Sequence, residues 1–383
     1  MFRLIPFGLM FSMFMLVVPD SPGQPATSEP KDPKDEIKWP KEIGGKTLDQ
    51  WVREMRSSPD ASTRDQAIRT IPNFGPDSRK AASANLVNAI LNERDVNVRL
   101  TAINTVPLIG FDEAYADQGL DAMVKILIPA NAAASHTRFE TTNSLGACGP
   151  IAKRAIPTLI TYTMVDQTSW QNRKAAVAAL GRLGMPMMKG EGPDVVAMRG
   201  IIKCLRTDSS HQVRREAISS LMTLGPPTVE AVWKELRDAL VYVMKDPDKS
   251  ISLWARVVYI RTEQELIKTN DPNLVAITKL LASKELDMKQ EAIQAIGFIG
   301  EEAKSRLPEL IAIAEGKNEE PFIIASALWA MSQMPSQTDK MLPVIDPLKR
   351  APDPTIKAAA NQAHRTLTEK PDPDKKIELP PKK

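Results

Sequence analysis

The chain has 383 residues, 43% of them apolar but only 5% aromatic, and its 50 basic and 47 acidic residues leave a formal charge of +3. So small a net charge makes no electrostatic case for nucleic acid or an anionic membrane as partner. A core this poor in aromatics has to be filled by Ala, Leu, Ile, Val and Met.

Residues 1–18 carry one early positive charge, Arg3, and then an apolar run from Leu4 to Val18 that is interrupted by Pro6, Gly8 and Ser12. The run is short for a bilayer and reads as a secretory signal, with an uncleaved anchor as the alternative because no close small-x-small cleavage pair follows it. Residues 19–46 are rich in Pro, Lys, Asp and Glu and read as a disordered spacer. Order is expected from Thr47. There Thr47-Leu48-Asp49-Gln50 is a capping box that opens a helix through Trp51, Val52 and Met55, placed as the lid on the open end of an array.

The array is visible as a recurring helix. Taking Arg214 as zero, small or apolar residues fall at +3 (Ala217), +4 (Ile218) and +7 (Leu221), and Gly225 stops the helix at +11. The same offsets recur at Arg64, Arg99, Arg138 and Arg173, and weaker copies are anchored at Ser252, Lys289, Ile324 and Lys357. Intervals of 33 to 41 residues leave room for two helices and their turns in each repeat. The fold class expected is therefore all-α, a right-handed α-solenoid of helical pairs over residues 47–368, followed by a disordered tail at 369–383.

Asp60, Asp95, Ser169, Ser210, Asp248 and Asp353 each lie four residues before an anchor and are expected to cap the helix. The anchor arginines are expected to bond acidic or carbonyl groups of the adjacent turn, forming a ladder, in preference to binding a ligand. A proline eight residues past the stop position, at Pro157, Pro308 and Pro343, marks a shared bend or helix start. The repeat at Ser252 is the deviant one, with Arg256, Tyr259 and Glu263 at core or stop positions, and its first helix is expected to run on towards Leu266. At Lys357 the polar Asn361, His364 and Thr368 suit a terminal cap.

The pattern Asp-x-x-Val-Arg-x-x-Ala-Ile-x-x-Leu-x-x-x-Gly resembles a HEAT repeat of the short type related to phycobilisome-lyase repeats. Asp95 to Gly110 and Val213 to Gly225 carry it best. With the leader and spacer, the chain also resembles exported HEAT-repeat proteins of planctomycetes. That resemblance implies a binding surface more often than an enzyme, and a fold does not fix a task.

No catalytic motif is found. The histidines His136, His211 and His364 lack the adjacent glutamates that a di-iron HEAT hydroxylase uses, and no GxSxG, HExxH, Walker or CxxC motif is present. Gly190-Glu191-Gly192 is a poor phosphate cradle. The pairs Glu301-Glu302 and Glu319-Glu320 fit helix starts, where negative charge is favoured. Met185, Met187 and Met188 cluster in the longest loop, where thioethers could take Cu(I), although packing within the loop is the better reading. Cys148 and Cys204 read as buried thiols, with a disulfide as the alternative in an exported chain. No cofactor or metal is expected.

Positions +2 and +5 read as solvent-facing and share a helix face, on which Trp254 (+2) and Trp329 (+5) are apolar exceptions on a polar surface, of the kind that forms a protein-binding hot spot. Local misregister, or cover from a tail, is the competing explanation. The function expected is a non-catalytic scaffold or adaptor for a protein or peptide partner. The alternative is a HEAT-scaffold enzyme or binder acting on nucleic acid, which would need a basic groove on the second helices.

Overall fold

The computed structural model describes residues 38–128, 135–262 and 270–369. The expected leader, most of the expected spacer, the run-on of the deviant repeat beyond Thr262 and all but the first residue of the expected tail lie outside the described residues. Between Leu48 and Thr368 the described backbone is helical and falls into two compact units that divide between Gly119 and Leu120.

Unit 1 opens on a two-residue hairpin, β1 (Glu42–Ile43) and β2 (Lys46–Thr47), inside the expected spacer. Gly44 and Gly45 close it with φ of 59° and 74°, backbone that side chains with a Cβ resist. The hairpin is held by the Trp51 indole, which donates to the Ile43 carbonyl at 3.0 Å. Then come α1 (Leu48–Ser57), α2 (Ala61–Thr70), α3 (Asp77–Asn92) and α4 (Val96–Ile109). Trp39 lies across Gly75, where any Cβ would come within 2.2 Å of the ring.

Helix α5 (Ala116–Leu127) begins in unit 1 and ends in unit 2. Unit 2 continues with α6 (Ser135–Cys148), a broken second helix made of α7 (Ile156–Thr158) and a π-turn at Leu159–Thr163, then α8 (Trp170–Leu183) and α9 (Val195–Thr207). It goes on through α10 (His211–Leu224), α11 (Glu230–Val243), α12 (Lys249–Thr262), α13 (Pro272–Lys279) and α14 (Leu286–Ile299). Helices α15 (Leu307–Ala314), α16 (Pro321–Ser332), α17 (Thr338–Leu348) and α18 (Pro354–Thr368) complete it.

The expected signals set most boundaries. Thr47 and Gln50 form the capping box in both directions, and Asp60, Asp95, Ser169, Asp248 and Asp353 accept the first free N–H groups of their helices. Ser210 is the exception, since its hydroxyl donates to the Gln212 side chain instead. Gly225 ends α10 with φ 74°, whereas Gly184 stays right-handed at φ −77° as its chain leads into the long loop. Pro157 and Pro308 sit in the first turns of α7 and α15, where no N–H is needed. Pro343 lies inside α17 instead.

Within unit 2 the first helices of successive repeats, α6, α8, α10, α12, α14, α16 and α18, pack directly on one another. Glycine at +8 sets the closest approaches. A Cβ on Gly146 would lie 3.0 Å from the Ala179 Cα, one on Gly181 2.8 Å from the Ser220 Cβ, and one on Gly297 2.9 Å from the Ala330 Cα. Each of those neighbours stands at +6 of the next first helix. The Ser220 hydroxyl also donates to the Val177 carbonyl at 3.1 Å, a bond that crosses from α10 to α8. At the next two junctions +8 is Met222 and then Ile260, so the helices there are packed less closely.

Candidate functional site

The anchor arginines form the ladder that the sequence implies. In unit 1 Arg64 takes both Glu93 oxygens at 2.8 Å and also donates to the Ser58 carbonyl at 2.9 Å, so it joins its own turn to the next one. In unit 2 Arg173 does the same with Asp208 (2.7 and 3.0 Å) and the Asp166 carbonyl, and Arg214 with Asp246 (2.8 and 3.1 Å) and the Asp208 carbonyl. Each carboxylate also accepts a backbone N–H of its own turn, from Asp95, Ser210 or Asp248. Bidentate pairs of this kind fix geometry as well as charge. The guanidinium beside Glu93 holds that carboxyl below the usual range. These arginines are therefore engaged in structure.

The deviant repeat restores the same join with different atoms. Ser252, at the anchor position, donates to the Met244 carbonyl at 2.6 Å, and Arg256 one turn later reaches that carbonyl and the Asn273 side chain. Between α12, α14 and α16 the same stretch carries aromatic packing.

That packing corrects the reading of position +2 as solvent-facing. Trp254 is 3% exposed and Glu291, also at +2, is 8% exposed, because the two face each other across the α12–α14 junction. The indole N–H of Trp254 donates to Glu291 at 3.2 Å. Phe298 stands edge-on to Trp254 and again to Trp329, with centroids 5.4 Å apart in both pairs and interplanar angles of 75° and 63°. The three rings form one series across α12, α14 and α16. Trp254 is its buried end, while Phe298 and Trp329 are half-buried and keep part of their faces towards solvent. Trp329 lies directly over Gly297, where a Cβ would come within 2.5 Å of the ring. Phe298 was not among the residues singled out from the sequence, although a phenylalanine beside the +8 glycine was the available signal. Two more exposed aromatics of unit 2 begin first helices, Trp170 (39%) on α8 and Phe322 (37%) on α16.

Burial pushes the Glu291 carboxyl above the ordinary range, against hydrogen bonds from Ser250 and Trp254 that favour its charged form. Glu216 is pushed up by burial too, opposed by the nearby Lys174 and Arg182 charges. Cys148 and Cys204 are free thiols, pushed by burial to about 11 and about 12, which suits inert packing residues.

The remaining candidates do not assemble. Among the described residues no three His, Cys, Asp or Glu side chains come together in a way that could hold a metal ion. The carboxylate of Glu191 accepts the backbone N–H groups of Met187 and Met188 at 3.1 and 3.2 Å, so the Gly190-Glu191-Gly192 loop is closed on its own side chain. Met187 and Met188 are 60% and 67% exposed, which corrects the expectation that they pack within the loop. Glu301 receives the hydroxyl of Ser336, and Glu319 pairs with Lys289, so both acidic pairs are structural at one member.

Stacked helical pairs joined by an arginine ladder define the class: the fold is an all-α helical-repeat solenoid. No protein-family model and no curated protein matches the chain in sequence. Among solved structures, importin beta in an ammonium sulfate condition is similar with a TM-score of 0.54 at 12% identity, over 83% of this chain and 46% of that one. A structure in which Kap95p binding induces the switch loops of RanGDP to adopt the GTP-bound conformation is similar with a TM-score of 0.54 at 11% identity, over 83% and 44%. The chain thus spans less than half the length of either protein, and at such identity the likeness is one of fold.

Proposed function

We propose that this protein is a non-catalytic scaffold or adaptor whose unit 2 presents its first-helix face to a protein or peptide partner. The observation that carries this reading is the Trp254–Phe298–Trp329 series, in which a buried ring anchors two half-exposed ones. Rigid aromatic surface with a desolvated base is the composition of a binding hot spot. The contact is centred on Phe298 and Trp329, with Trp254 as their support. Support for protein over nucleic acid comes from charge. The anchor arginines are engaged in the ladder, the second helix α11 mixes Glu230, Glu235 and Asp238 with Lys234 and Arg237, and Arg199 of the second helix α9 is paired with Glu235 of α11.

The repeats themselves we assign to the short, phycobilisome-lyase-like HEAT type, on their spacing, their capped starts and the anchor arginine. Export is the localisation that the apolar run from Leu4 to Val18 supports, with anchoring by an uncleaved leader as its variant. Among the described residues no helix is long and apolar enough to cross a membrane. The test is photo-crosslinking in an extract of the native cells, with a benzophenone amino acid in place of Trp329. One dominant protein adduct supports the scaffold. Adducts to nucleic acid alone, or none, remove it.

A further inference from the structure

Unit 1 holds a cleft of about 270 Å³ between the end of α1 and α3, lined among others by Arg56, Arg94, Asn85, Asn88 and Asn92. Arg64 and Glu93 also line it, but they neutralise each other through their bidentate pair, with side chains only 16% and 10% exposed. Arg56 and Arg94 differ. Both are exposed, and among the described residues neither guanidinium has an ion pair or hydrogen-bond partner. The cleft therefore carries two uncompensated positive charges, and a guanidinium matches the geometry of a carboxylate in particular.

The asparagines add a second kind of complementarity. The Asn92 amide donates to the Asn88 carbonyl oxygen at 2.8 Å, which fixes both side chains and leaves the Asn88 N–H groups and the Asn92 oxygen for another partner. One turn of helix separates the two, about 6 Å between Cβ atoms. An extended peptide presents N–H and C=O groups on one side every second residue, a repeat of about 6.6 Å. Spare donor, spare acceptor and spacing suit a peptide backbone.

We propose that this cleft binds an extended acidic segment of a protein partner, its carboxylates on Arg56 and Arg94 and its backbone on Asn88 and Asn92. The site lies in unit 1, apart from the aromatic series of unit 2, so it goes beyond the function proposed above and the two fail independently.

The experiment is fluorescence anisotropy of the full chain with a fluorescein-labelled hexapeptide, Gly-Asp-Glu-Asp-Glu-Gly, and with its all-lysine counterpart. The variants are R56Q/R94Q, N88A/N92A and, as a charge control in unit 2, K234Q/K245Q, each checked for an unchanged thermal melt. The expected result is saturable binding of the acidic peptide alone. R56Q/R94Q weakens it about tenfold or more, because both charge-assisted contacts go. N88A/N92A weakens it several-fold, K234Q/K245Q leaves it unchanged, and added salt lowers it. No saturable binding, an R56Q/R94Q variant that binds like wild type, or equal loss in K234Q/K245Q overturns the site. An N88A/N92A variant that binds like wild type overturns the extended backbone contact and with it the peptide assignment.

Discussion

Two stretches of unit 2 solve the same packing problem differently. From α6 through α10 the first helices touch through Gly146 and Gly181, which let the next helix come to backbone distance, and the turns beside α8 and α10 are tied by Arg173–Asp208 and Arg214–Asp246. From α10 to α14 the +8 residue is Met222 and then Ile260. The wider α12–α14 gap is filled by Trp254 and Glu291, and a moved arginine, Arg256, ties the turn. Small residues give a close junction, whereas bulky ones give an open junction filled by buried side chains; the half-buried rings of Phe298 and Trp329 stand at the next junction, which Gly297 closes. The departure from consensus thus supplies the buried ring, Trp254, on which Phe298 of the next repeat stands.

Breaking the open junction is expected to cost most. Trp254→Ala removes a buried indole and the N–H that reaches Glu291, and is expected to lower stability by about 3–5 kcal/mol in urea melts. Truncating the half-buried Trp329 is expected to cost clearly less while reducing partner crosslinking, so stability and binding separate along one aromatic series. Arg214→Ala, which strands Asp246 with its side chain only 7% exposed, is expected to cost about 3 kcal/mol, within the range for breaking a buried pair. A double-mutant cycle with Asp246→Ala then measures the coupling. Gly181→Val sharpens the contrast, because the new side chain must displace Ser220 from α10. A loss of about 1–3 kcal/mol is expected, against little change for Met222→Val at the neighbouring open junction.

The smallest effect is one of pH, and its sign differs between two carboxylates. Glu291 binds its proton more tightly in the folded chain than in the unfolded one, since burial raises it. Its contribution therefore turns unfavourable as pH rises from the ordinary carboxylate range through its raised value. Glu291→Gln is expected to gain stability over wild type above that window and to match it below. Glu93 behaves oppositely, because the bond from Arg64 lowers it. Its contribution is present above the ordinary range and is lost as pH falls through its depressed value. Thermal melts of Glu291→Gln and Glu93→Gln across acidic to neutral pH check both signs.

Much of this architecture is legible in the sequence because its signals are local. Caps such as Asp95, stops such as Gly225 and the anchor arginines act within one turn, and the chain that carries them fixes the helix ends. The face at +2 was not legible, since whether Trp254 meets water or Glu291 depends on how closely the next helix packs. That depends on +8, a position read only once the glycines at 146, 181 and 297 are seen against their neighbours. The hairpin at residues 42–47 escaped because strands of two residues have no periodicity to read. The Arg56–Arg94 cleft joins residues from two helix ends that no repeat pattern relates.

The most direct test of the central claim is site-specific photo-crosslinking at Trp329 and, in parallel, at the exposed Val241 of α11, in an extract of the native cells. The account predicts one dominant protein adduct from position 329 that position 241 does not give. The same adducts from both positions, or nucleic acid and no protein at 329, would contradict it.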